Sequence, residues 1–255
     1  MQIYLSSFTG WGDAIRTLFM SRGTWTPELD HEIRETVAKV IDRDGRFDPN
    51  SDSESCERFL RWTDSLFGFG RKHITMLRFL DFSFVVEGLH RGATDDWDAH
   101  AERYDNRIIR LSTRMNAMKN VDKTTMDLPV SDFYKGKILT LGQAAEKIGY
   151  EFPNTFEADG FTWVRSINGY VRSGFEDNGD VKRGLYPLGM SNLFIFKCNL
   201  CEYPHVRDLR MRKTPGHPQS GHAHPEIWDL VDMIDYELKK VHPAINSDFL
   251  DAIKQ

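Results

Sequence analysis

Cysteine is scarce in this chain. Cys56, Cys198 and Cys201 are the three present among 255 residues, too few for a disulfide framework at this length. No charged-then-apolar leader opens the sequence, so the expected setting is a reducing cytoplasm. Long hydrophobic runs are also missing. The greasiest stretches, FSFVV at 82–86 and LFIF at 193–196, are strand-sized and fall well short of the ~20 residues that cross a bilayer. No membrane association is expected. Charge of one sign is not in excess either: 33 Lys and Arg face 38 Asp and Glu, the net charge is -5, and no block of like charge suggests an arm for duplex nucleic acid. Neither a Gly-x-Gly-x-x-Gly after a strand nor a Walker sequence occurs, which excludes a Rossmann cofactor fold and a P-loop. Finally, no Pro/Gly/Ser linker divides the chain, so residues 1–255 read as a single α+β domain.

What is present can fill a core, because 40% of the residues are hydrophobic and 12% aromatic. Thr26-Pro27 opens a helix with Leu29, Ile33, Val37 and Ile41 at helical spacing. A second helix carries Phe59, Leu60, Trp62, Leu66 and Phe67 and closes at Gly68-Phe69-Gly70. Phe82, Phe84 and Val86 alternate as in a strand, and NLFIFK at 192–197 is a second strand. The charged stretch 93–118 reads as largely helical, and 121–137 as a loop. Phe161, Val164, Ile167, Val171 and Phe175 suggest a long helix over 160–175. Residues 199–213 read as helical despite Pro204. Pro225 starts an amphipathic helix through Ile227, Leu230, Val231, Ile234 and Leu238.

The stretch CNLCEYPHVRDLR at 198–210 poses a chemical choice. Cys198, Cys201, His205, His217, His222 and His224 are ligand types suited to zinc. However, no second C-x-x-C accompanies the first, and Cys198 falls at the end of a strand rather than in a knuckle loop. A redox pair needs C-x-x-C at a helix N-terminus, where the thiol pKa drops, yet the surrounding βαβ pattern is absent. The third reading makes the cysteines small buried residues at a strand-to-helix corner. No metal is assigned.

With the cysteines set aside, YPLGMSNLFIFKCNLCEYPHVRDLR at 186–210 resembles the C-terminal signature of the flavin-dependent thymidylate synthases, the ThyX family. Pro187-Leu188, Phe194, Asn199 and Leu209-Arg210 stand in step with that signature. His222-Ala223-His224-Pro225-Glu226-Ile227 follows after an insertion at 211–221, with His224 where the family prefers glutamine. His73, Thr75, Phe82 and Phe84 match the family's His-x-Thr-x(6)-Phe-x-Phe segment. The hallmark RHRxxSxNxxSxRY falls on ERYDNRIIRLSTRM at 102–115. Leu111, Ser112 and Arg114 keep its tail, whereas Glu102-Arg103-Tyr104 replaces its head, Arg107 and Ile109 replace serine and asparagine, and Met115 replaces tyrosine. The resemblance covers roughly residues 70–235.

The resemblance implies an antiparallel sheet with long helices, assembled as a homo-oligomer, a tetramer in the family, with a site shared between subunits. It implies a clamp for a pyrimidine nucleotide monophosphate from Ser112, Thr113 and Arg114, with Arg183 adding positive charge. Those residue types suit the task, since hydroxyls and a planar guanidinium grip phosphate oxygens. Arg210 takes the place of the residue set over the pyrimidine, where it would offset charge developing on N3 and O4 during attack at C5. FAD would be held by His73, Thr75, Arg103, Asn199 and His205. The implied reaction is methylation of dUMP to dTMP, with methylenetetrahydrofolate and NADPH as co-substrates. Three alternatives stay open. One is C5 methylation or hydroxymethylation of another pyrimidine nucleotide, as in nucleoside-antibiotic or phage base-modification pathways. The second is a non-catalytic nucleotide-binding relative, and the third a zinc-bound interaction module. In the bland readings of the same residues, Ser112 and Arg114 form a surface turn, and Arg210 is a helix-terminal charge.

Overall fold

A computed structural model describes residues 1–70, 72–101, 107–110, 130–178, 181, 184–186, 188–211 and 223–253. The fold is α+β with antiparallel sheets. Its strands are β1 (Gln2–Thr9), β2 (Asp81–His90), β3 (Arg107–Arg110), β4 (Thr155–Ala158), β5 (Phe161–Ser166), β6 (Gly169–Arg172) and β7 (Ser191–Asn199). Its helices are α1 (Trp11–Ser21), α2 (Pro27–Val40), α3 (Ser53–Gly70), α4 (Arg91–Ala101), α5 (Leu141–Ile148), α6 (Tyr203–Arg210), α7 (Pro225–Val241) and α8 (Ser247–Ala252). One sheet has the order β1-β2-β7-β3 and the other β4-β5-β6. The chain divides into two compact units. The first comprises Met1–Gln2, Val86–Asp96 and Ile109–Phe194, and the second Ile3–Val85, Trp97–Ile108 and Ile195–Gln255. We propose that the two units unfold together as a single domain.

The second unit holds the larger core. The helices expected from Thr26-Pro27 and Pro225 form, and each is started by its own chemistry. Thr26 Oγ1 accepts from the Leu29 amide at 3.2 Å with Pro27 in the first turn. His224 Nδ1 accepts from the Glu226 amide at 3.2 Å just before Pro225. Asp52 does the same for α3 through the Ser55 amide at 3.0 Å. Phe59, Leu66, Ile33, Ile227, Leu230 and Ile234 are fully buried, so the apolar stripes face the core as their spacing predicts. Trp11 packs against Phe8, Phe59 and Phe67, and its indole Nε1 donates to Gly45 O at 2.9 Å. In the sheet, Phe82 and Phe84 of β2 meet Phe196 of β7.

The turn between β1 and α1 requires glycine. Gly10 has φ +93°, and a Cβ there would stand 1.6 Å from Phe79 O. This close approach sets α1 against the 3₁₀ segment Ile74–Phe79, which leads into β2.

In the first unit the sequence reading needs correction. The helix expected over 160–175 is instead the antiparallel meander β4-β5-β6. Asp159 and Gly160 both have positive φ, 54° and 77°, which is the two-residue turn that Asp-Gly favours, and Asn168 at φ 54° makes the next reversal. Phe, Thr, Trp and Val at 161–164 are strand formers, and cross-strand pairing overrode their coincidental helical spacing. Likewise α4 ends at Ala101, and within the stretch read as largely helical residues 107–110 form the strand β3. The β-branched pair Ile108-Ile109 suits that strand. β1, α1 and α5 were not foreseen, although Thr140-Leu-Gly-Gln143 is a capping box in sequence and in structure.

Candidate functional site

Two of the three segments singled out in the sequence meet in the second unit. The 3₁₀ segment 74–79 and the corner between β7 and α6 are joined where the Leu200 amide donates to Leu80 O at 2.9 Å. Arg78 Nη2 also reaches Glu202 Oε1 at 3.6 Å. His73 and Thr75 therefore lie on a segment tied to the one carrying Asn199 and His205. His73 precedes the 3₁₀ turn, is exposed, and lies against Phe69 with ring centroids 4.4 Å apart. Among the described residues, neither its ring nitrogens nor the exposed Thr75 hydroxyl has a hydrogen-bond partner, so both present polar atoms outward.

Asn199 has a structural task. Its Oδ1 accepts from the amides of Cys201 and Glu202, each at 3.0 Å, which supports the chain entering α6. Its carboxamide NH₂ is the part left for any other contact. The two thiols of the corner are buried and unbonded to each other. Burial raises the pKa of both, and for Cys201 a hydrogen bond from Arg78 opposes the rise without reversing it. Protonated, inert thiols at a strand-to-helix corner are what the third sequence reading described.

α6 is fixed to α7 and α8 by a network centred on the buried Arg207 and Tyr203, with Asp235 partly buried and Asp251 exposed. Arg207 Nε donates to Asp235 Oδ2 at 2.7 Å and its Nη1 to Asp251 at 2.5 Å, while Tyr203 Oη donates to Asp235 Oδ1 at 2.7 Å. Burial raises the Asp235 pKa against the pull of Arg207 and Tyr203. Burial also works against the Arg207 charge, but the two carboxylates outweigh it and hold the guanidinium protonated. Arg210, one turn on and 9% exposed, ends this anchored helix. A low-dielectric setting of this kind strengthens a cation's action on a nearby charge.

Ser112, Thr113, Arg114, Arg183 and Arg103 lie outside the described residues, as do His217, His222 and most of the 211–221 insertion. In the last matched segment His224 caps α7 and Glu226 is buried in its first turn. Sequence reasoning missed Arg78 and Glu202. Both stand inside segments matched to the family, but neither occupies a position of its pattern.

Comparison with solved structures matches this architecture along nearly the whole chain. The flavin-dependent thymidylate synthase ThyX from Helicobacter pylori, complexed with FAD and dUMP, aligns at a TM-score of 0.52 and 15% identity, covering 98% of this chain and 100% of that one. The UMP/dUMP methylase PolB from Streptomyces cacaoi, bound with 5-Br dUMP, aligns at a TM-score of 0.51 and 11% identity, covering 98% of this chain and 94% of that one. No family model and no curated protein matches the sequence. The chain therefore has the ThyX-like fold, in a divergent sequence. No described helix is long and apolar enough to cross a membrane.

Proposed function

We propose that this protein is a flavoenzyme that methylates C5 of a pyrimidine nucleotide monophosphate, with FAD as cofactor. The observation that carries the reading is the junction of the 73–79 segment with the 199–210 corner on a ThyX-like fold. The described residues suit a flavin: His73 and Thr75 offer outward-facing polar atoms, Asn199 retains its NH₂ group, and His205 lies on the same corner; Arg103, outside the described residues, is proposed as a fifth contact. When bound, the flavin supplies the redox chemistry that completes the methyl group. The protein's own residues bind and polarise. Ser112, Thr113, Arg114 and Arg183 hold the 5′-phosphate, and Arg210, fixed through α6, offsets the negative charge that grows on N3 and O4 as C5 becomes nucleophilic.

The most specific form of the proposal is dUMP to dTMP, with methylenetetrahydrofolate as carbon donor and NADPH as reductant. Methylation or hydroxymethylation of a different pyrimidine nucleotide is the second reading. It is favoured by the replaced Arg-His-Arg head and by the likeness to a UMP/dUMP methylase. A homotetramer in the cytoplasm fits a site shared between subunits. Leu139, Leu141 and Ile148, 53%, 51% and 78% exposed, are apolar surface suited to such contacts.

Calorimetric titration of dUMP, UMP and dCMP into the wild type, Arg114→Ala and Arg210→Ala tests this. Arg114→Ala should weaken every monophosphate by roughly 1.5–3 kcal/mol, the scale of a charge-assisted hydrogen bond. If none of the three binds the wild type more tightly than millimolar, the nucleotide reading fails, whatever the fold.

A further inference from the structure

The β4-β5-β6 meander has two faces of different chemistry. Phe156 pairs with Trp163, Trp163 with Arg172, and Arg165 with Tyr170. Strand alternation then puts Phe156, Phe161, Trp163, Arg165, Tyr170 and Arg172 on one face. The opposite face carries Thr155, Glu157, Val164, Ser166 and the buried Val171. Four aromatic rings and two guanidinium groups thus share a small surface with no carboxylate among those strand positions. Glu157, on the other side, accepts from the Thr162 hydroxyl at 2.6 Å.

The rings are held in place. Tyr170 Oη donates to Pro153 O at 2.7 Å and Trp163 Nε1 to Ala158 O at 3.3 Å. Tyr170 stands edge-on to Phe156 at 4.8 Å, and Phe156 runs within 16° of parallel to Trp163. Phe156 and Phe161 nonetheless stay 38% and 45% exposed. Arg172 lies over both Phe161 and Phe175, 4.9 and 5.0 Å from the ring centroids. Stacking of this kind fixes the guanidinium plane and leaves its N–H edge for a ligand. Among the described residues Arg172 forms no ion pair. Arg165 donates through Nη1 to Phe152 O at 3.4 Å; its Nε is buried, so contact with a phosphate falls to its terminal nitrogens.

We propose that this face binds single-stranded nucleic acid, with bases stacking on Phe156 and Phe161 and phosphates held by Arg165 and Arg172. Phe156 of β4 and Phe161 of β5 are diagonal neighbours across the strand pair, about 7–8 Å apart, a spacing that successive bases of an extended strand can follow. Aromatic rings interleaved with cations are the general solution for a flexible polyanion with flat bases. A second copy is a poorer occupant, since a two-fold contact through this face would oppose arginine to arginine with no carboxylate to receive them. A duplex fits less well, because its bases are stacked inside and the chain as a whole carries a charge of -5.

Fluorescence anisotropy of labelled oligo(dT) and oligo(rU), with the matching duplex as a third probe, tests the proposal on the full-length protein. Saturable binding of either single strand, weaker at higher salt and tighter than the duplex, is expected. Phe161→Leu keeps apolar bulk but loses the π face, and Arg172→Gln loses the charge; each should weaken binding about tenfold. Phe161→Tyr should restore it, which separates stacking from misfolding. The proposal is overturned if neither single strand binds, if both variants bind like the wild type, if the duplex binds more tightly, or if Phe161→Leu abolishes self-association in light scattering without changing oligonucleotide affinity.

Discussion

His242 follows α7 and is 1% exposed, among the rings of Trp11, Phe47, Phe59 and Phe67. The Ala244 amide donates to its Nδ1 at 3.1 Å, so that nitrogen carries the lone pair and Nε2 carries the proton. Nε2 lies 3.1 Å from Thr63 Oγ1, whose own proton is directed to helix carbonyls of Phe59 and Leu60. Both ring nitrogens are satisfied in the neutral form, and a second proton on Nδ1 would face an amide hydrogen. The C-terminal end of a helix ordinarily favours a protonated histidine, but burial prevails here and lowers the pKa from 6.5 to about 4. Because the folded value is depressed, the unfolded chain binds one more proton between those limits. Stability is full above pH 6.5 and falls as the pH drops toward 4. At 1.36 kcal/mol per unit the whole loss is about 3 kcal/mol, a large share of a typical folding free energy. Denaturant melts between pH 7.5 and 5 should show this slope before most carboxylates titrate. His242→Asn keeps an acceptor for the Ala244 amide and cannot titrate, so it should be less stable at neutral pH but flatter below it. An identical slope in the variant, or a flat wild type down to pH 5, would refute the reasoning.

Arg207→Met should destabilise the protein by about 2–3 kcal/mol, because it leaves the partly buried Asp235 with Tyr203 as its remaining partner; chemical denaturation reads this directly. Gly10→Ala should be comparably damaging, since the added methyl meets Phe79 O and the positive φ disfavours any side chain, and it should also weaken FAD uptake through the 74–79 segment. Arg210→Ala should leave nucleotide binding nearly intact and lower turnover, the pattern of an interaction made mainly in the transition state; an unchanged rate would remove it from the chemistry. If the chain is one domain, a calorimetric melt should give a single transition with matching van't Hoff enthalpy, whereas two resolved transitions would show the compact units to be independent.

The parts of the fold legible in the sequence are those in which local and tertiary signals agree. Thr26-Pro27 and Pro225 begin helices whose apolar stripes face the core, and Phe82, Phe84 and Phe196 alternate because their strands bury one face. The meander was illegible to a helical count because Phe161, Val164, Ile167 and Val171 satisfy the 3.6-residue period by chance. Asp159-Gly160 was the better signal, since only a tight reversal requires positive φ at two successive residues. At the candidate site the family pattern found Asn199 but not what its Oδ1 does, which is to receive two amides at the start of α6. Arg78 was invisible for a different reason. Its position matters through Glu202, more than a hundred residues away, and no local period encodes such a pair.

The visible spectrum of the purified protein, recorded before and after FAD is added and the excess removed, bears most directly on the proposed chemistry. Retained flavin absorbance is expected, with uptake weakened in His73→Ala and in Asn199→Ala. A colourless protein that gives no heat on calorimetric titration with FAD would contradict the flavoenzyme account, and stoichiometric zinc in its place would return the C-x-x-C segment to the centre of the question.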